Sequence, residues 1–140
     1  MTSGRALLSL VLLAAWPGLA KAEKWVGTIE CSVLQGVGNK ALHGYFEMHT
    51  DGSHLTYSRP VHVNDLAASS GVDEIGQGDW TGNTVTLTGG ATGQGYSYTA
   101  SYKGGMDNGR LVLVGEQIWQ TRKIQEPHRD CRIVLHRAPP

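Results

Sequence analysis

From Glu23 onward the chain is built of short runs in which apolar and polar residues alternate, interrupted every few positions by Gly, Asn or Asp. Successive side chains of a strand point to opposite faces, so a period of two marks half-buried β-strands, and no stretch carries the 3–4 spacing of an amphipathic helix. In the first run Trp25, Gly27, Ile29 and Cys31 share a face against Lys24, Thr28 and Glu30. In the second, Leu42, Gly44, Phe46 and Met48 oppose His43, Tyr45, Glu47 and His49, and in the third Leu55, Tyr57 and Val61 oppose His54, Thr56 and Ser58. Weaker or shorter strands follow over 73–80, 85–88, 96–103, 111–119 and 131–137. Gly89 to Gly95 reads as a loop, and the two longest connections span about 62–72 and 120–128.

Eight strands joined mostly by short turns predict an all-β fold, an eight-stranded antiparallel up-and-down barrel, with a two-sheet β-sandwich as the alternative. An even strand count makes the first and last strands antiparallel, so they can pair and close the sheet. Cys31 and Cys131 fall on those two strands, each on the apolar face, and a disulfide between them would staple the closure. Asp51-Gly52 suits a type I′ hairpin turn, which would pair Thr50 with Ser53, His49 with His54 and Met48 with Leu55.

Composition narrows the class. Lys plus Arg number 12 and Asp plus Glu number 12, so no basic footprint for nucleic acid exists. The 19 glycines follow no triplet period, which excludes collagen, and 40% hydrophobic residues are enough for a core. Ahead of the strands, Arg5 precedes an apolar run of 11 residues, Ala6–Trp16, then Pro17-Gly18 and the small-residue pattern Ala20-Lys21-Ala22. That order is a secretory signal, 1–22, leaving 23–140 as a single all-β domain. The run is too short to span a bilayer, so no membrane span is expected after cleavage and the localisation expected is periplasmic or secreted.

Trp25-x-Gly27-x-x-x-Cys31, Gly115-x-Gln117-x-Trp119 and Cys131-x-Ile133-x-Leu135-x-Arg137 together resemble a group of small exported bacterial β proteins of unassigned function. The resemblance implies export and a compact β domain, and it brings no catalytic residues with it. In outline the chain is also similar to lipocalin-like barrels, in architecture only.

Candidate sites come from residue chemistry. Trp80, Tyr98 and Trp119 offer apolar contact near a barrel mouth, while Arg122, Lys123 and Arg129 would recognise an anionic group. Glu47, His49 and His54 would face one another across the predicted hairpin and offer metal ligands. Asp73, Glu74 and Asp79 supply carboxylates for a hydrolase, although no nucleophile elbow, zinc-protease or P-loop motif accompanies them. The expectation is a non-catalytic exported binding or inhibitor module of the cell envelope, needing no cofactor and meeting an anionic envelope glycan, protein or small ligand. A small carboxylate-dependent hydrolase and a purely structural envelope protein are the alternatives.

Overall fold

The computed structural model describes residues 22–34, 41–62, 71–122 and 125–140. Eight strands run in chain order: β1 (Glu23–Cys31), β2 (Leu42–Asp51), β3 (His54–Pro60), β4 (Asp73–Thr81), β5 (Thr84–Gly93), β6 (Tyr96–Asp107), β7 (Arg110–Thr121) and β8 (Gln125–Arg137). Each pairs antiparallel with the next, and β8 returns to β1, so the sheet closes into an up-and-down barrel. The inward set of each strand is the apolar set of its alternation. Trp25, Ile29, Phe46, Met48, Leu55, Leu87, Leu113 and Ile133 are all buried, and the outward positions between them are exposed or half-buried.

Closure has a covalent seam. Cys31 and Cys131 are direct partners in the β1–β8 register and form a disulfide, 100 residues apart in sequence. In the chain-entropy account, closing so long a loop stabilises the fold by about 4–5 kcal/mol. The two barrel ends differ. One, the hairpin end, carries the tight β2–β3, β4–β5 and β6–β7 turns. The other, the loop end, carries the β1–β2, β3–β4 and β7–β8 connections together with the short β5–β6 turn.

Three expectations are corrected. The β2–β3 hairpin pairs Asp51 with His54, Thr50 with Leu55 and His49 with Thr56, two residues away from the predicted register. Its central residues are Gly52 and Ser53, with positive φ at Gly52 alone (62°), the type II′ pattern. A shift of two leaves every side chain on its own face, so alternation is blind to it and turn chemistry decides. A turn centred on Gly52-Ser53 spares Asp51 the left-handed conformation that a type I′ turn would demand.

Second, Gly89 and Gly90 lie inside β5, paired with β4 and β6, rather than in a loop. Gly76 and Gly89 face each other across β4–β5. A Cβ at either would meet the Tyr57 ring or hydroxyl at 2.2 Å, so this glycine pair makes the space that Tyr57 fills. The ring stacks on Phe46 at 4.8 Å and meets Tyr102 edge-on at 6.0 Å.

Third, β8 begins at Gln125, six residues before the expected Cys131. Pairing continues through Gln117↔Arg129 and Ile118↔His128 to Gln120↔Gln125, with an irregularity between Ile118 and Gln120. Pro127 lies within that irregular stretch, where β8 carries one residue more than β7, one of the few places a sheet tolerates proline.

Candidate functional site

Five strands send polar side chains into the loop end of the barrel. Arg59 continues the inward face of Leu55 and Tyr57 on β3, Glu74 opens that of β4, and Tyr98 and Tyr102 belong to β6. Gln117 and Trp119 come from β7 and Arg129 from β8. The alternation that buries the leucines also buries these residues, because they are in phase with them.

Glu74 is the hub. Its Oε1 accepts from Arg59 Nε at 3.1 Å, Tyr98 Oη at 2.6 Å and Gln117 Nε2 at 3.2 Å, and its Oε2 accepts from Tyr102 Oη at 2.9 Å. Every neighbour donates, the role an acceptor-only carboxylate requires. The Arg59–Glu74 ion pair is fully sealed, with side chains 1% and 0% exposed. Gln117 relays the network outward: its Nε2 also donates to Tyr102 Oη at 2.9 Å. Its Oε1 accepts from Trp119 Nε1 at 3.1 Å and Arg129 Nε at 2.8 Å. Arg129 lies 5.2 Å over the Trp119 ring, which stacks on Tyr98 at 4.2 Å and on Tyr96 at 5.3 Å.

The electrostatics are lopsided. Two buried guanidinium groups share one buried carboxylate among the described residues. For Arg59, the Glu74 charge and the tyrosine oxygens outweigh burial and raise its pKa. Arg129 has no such partner; burial first, then repulsion from Arg59, pushes it down to about 10. Burial, followed by the Glu74 charge, raises the hydroxyls of Tyr57, Tyr98 and Tyr102 above their ordinary value. Several buried atoms in this half of the barrel lack a hydrogen-bond partner among the described residues: Arg59 Nη2, Tyr57 Oη, His62 Nδ1 and Tyr96 Oη. Such orphans are costly and uncommon.

The sequence-derived candidates are divided by the fold. Tyr98, Trp119 and Arg129 come together at the loop end. Trp80 does not join them: at the end of β4 it packs on Trp25, 5.5 Å away, at the hairpin end. Arg122 is exposed just beyond β7, and Lys123 lies outside the described residues. Arg129 lies within β8, ahead of the expected strand start at Cys131, and points inward.

The two-residue register shift removes His54 from His49. His54 pairs with Asp51 and Asp79, while His49 Nε2 contacts Glu47 Oε1 at 2.8 Å, with Lys24 Nζ 3.4 Å from the same oxygen. The His49 contact dominates in holding the Glu47 carboxyl below its usual value. Asp73 and Asp79 are exposed on the outer face of β4 and Glu74 is buried inside, so these three form no opposed carboxylate pair.

No family model, curated protein or solved structure matches this chain. Arg59 and Gln117 are not among the sequence-derived candidates. The signal was phase: each is a polar or half-polar side chain at an inward position of an otherwise apolar strand face.

Proposed function

We propose that this protein is a non-catalytic exported binding module that takes the anionic group of a small ligand, a carboxylate or phosphate, at the loop end of its barrel. The observation that carries the reading is Arg59 Nη2, a guanidinium donor without a hydrogen-bond partner among the described residues, on a side chain 1% exposed. A buried donor left unmade costs about 1–3 kcal/mol, and an oxygen anion would satisfy it. Arg129 adds a second cation without an acidic partner among the described residues, and Tyr96, Trp119 and Tyr98 provide a stacked aromatic wall for the ligand's body. A binding rather than hydrolytic role agrees with the separation of Glu74 from Asp73 and Asp79 on opposite faces of β4. The disulfide is compatible with an extracytoplasmic location, and the signal-like segment 1–22 supports a periplasmic or secreted one.

Calorimetric titration with benzoate and phenyl phosphate, and with benzyl alcohol as neutral control, tests the reading. The acids bind and the alcohol does not, and Arg129→Gln weakens acid binding about tenfold or more, the worth of a charge-assisted hydrogen bond. Failure of both acids to bind at millimolar concentration, or equal affinity in Arg129→Gln, rejects it.

A further inference from the structure

On the outer wall, β7 and β8 present a different cluster. Glu116 and Asp130 are direct cross-strand partners, and His128 lies two residues from Asp130 on the same outward face. His128 Nε2 is 2.9 Å from Glu116 Oε2 and 3.3 Å from Asp130 Oδ1, and one donor atom from each of the three falls within 4.8 Å of the others. Two carboxylates directly opposite each other on adjacent strands repel, so the arrangement costs free energy unless positive charge sits between them. The β7–β8 bulge begins at Ile118, the partner of His128, and bulges re-aim neighbouring side chains.

We infer that Glu116, His128 and Asp130 form a binding site for a divalent transition-metal ion of the zinc class. One imidazole nitrogen and two carboxylate oxygens are a donor set that such ions accept. Metal–ligand bonds of about 2.0–2.2 Å place neighbouring donors roughly 3.0–3.5 Å apart. The His128 contacts of 2.9 and 3.3 Å lie close to that range, and rotamer adjustment of the two carboxylates brings all three donors onto one ion. Three protein donors leave at least one coordination position open. A hollow of about 630 Å³ beside Glu116 and Asp130, lined also by Thr88, Ser101 and Lys103, gives water or a partner's donor access to it.

Other histidine contacts are poorer. His43 meets Glu30 and His49 meets Glu47, each a single carboxylate. Among the described residues, Glu116, His128 and Asp130 are the one group of three or more such donors within reach of a single ion. The site is separate from the loop-end cluster and does not depend on how that cluster functions.

The test is a ZnCl₂ titration of the full chain without a histidine tag, followed by calorimetry and by imidazole nitrogen NMR. Wild type should bind one equivalent with the shift confined to His128. His128→Ala and the near-isosteric Glu116→Gln/Asp130→Asn pair should each weaken binding at least about tenfold, since loss of even an outer-shell partner costs that much. His49→Ala should bind as wild type does. Circular dichroism confirms that each variant keeps its barrel. Absence of binding at 1 mM zinc, a shift centred on another histidine, or less than tenfold weakening in His128→Ala overturns the assignment.

Discussion

Each end of the barrel holds a tryptophan with an arginine laid over it, and the two pairs live in opposite environments. At the hairpin end Arg137 sits 5.4 Å over Trp25, its side chain 64% exposed, and its Nε lies 3.4 Å from Glu23. At the loop end Arg129 sits 5.2 Å over Trp119, only 7% exposed, and reaches inward to Gln117 rather than outward to a carboxylate. The same residue pair is thus a solvated lid in one place and part of a dehydrated network in the other. Water screens the first and makes it worth little; its exclusion from the second makes each partner hard to remove. Architecture explains the difference. Toward the hairpin end the inward positions are uncharged and mostly apolar, among them Leu111 and Leu135 with Thr50 the polar exception, whereas toward the loop end Arg59, Glu74, Gln117 and Arg129 take those positions.

The most direct way to break this comparison is to remove one member at each end. Glu74→Gln leaves Arg59 buried without its counter-charge and should cost about 3–5 kcal/mol in urea unfolding. Leu111→Ala, a cavity in the apolar half, should cost about 2–5 kcal/mol. The two losses are distinguished by rescue: adding Arg59→Met to Glu74→Gln recovers much of the first, because the pair together is far less costly to delete than one partner. A Glu74→Gln loss below about 1 kcal/mol would show that charge does not hold the loop end together.

Alkaline pH probes the same half of the molecule. Tyr57, Tyr98 and Tyr102 keep their protons in the folded barrel above the value, 10.0, at which the unfolded chain releases them. Their contribution is therefore complete below that pH and is lost as pH rises beyond it. Arg129 acts oppositely, since burial lowers it to about 10 and the unfolded chain then binds more protons above that pH. Three tyrosines outweigh one arginine, so stability should fall above pH 10. Tyrosinate absorbance from the buried three should appear only as circular dichroism reports unfolding. Titration of all five tyrosines in an intact barrel would contradict the sealed network.

The smallest expected effect sharpens where the polar network stops. Tyr57 Oη has no hydrogen-bond partner among the described residues, although its ring lies between Phe46 and Tyr102. Tyr57→Phe should leave stability within about 1 kcal/mol of wild type or raise it slightly, because no hydrogen bond is lost. A larger loss by thermal unfolding would extend the network to that hydroxyl.

Much of this was legible in the chain. Alternation assigned the inward faces of β1, β2 and β3, and strand parity with Cys31 and Cys131 on the first and last strands implied a closed sheet. Asn108-Gly109 supplies the turn with positive φ at both positions, 51° and 78°, that local chemistry favours. The loop-end cluster was legible only in pieces: the fold brings the sequence candidates Tyr98, Trp119 and Arg129 together, leaves Trp80 at the other end, and buries Glu74 away from Asp73 and Asp79.

What the sequence determined by itself is therefore face and parity, because the two-residue repeat of a strand is a local property that each side chain obeys independently. What only the tertiary structure decided is registry and company. The hairpin's two-residue offset, the extension of β8 past Pro127, the separation of Trp80 from Trp119 and the convergence of five strands on Glu74 all depend on which residues lie opposite one another. Alternation repeats every two positions and cannot distinguish one such pairing from the next, so turn conformation, the bulge and ring closure must choose.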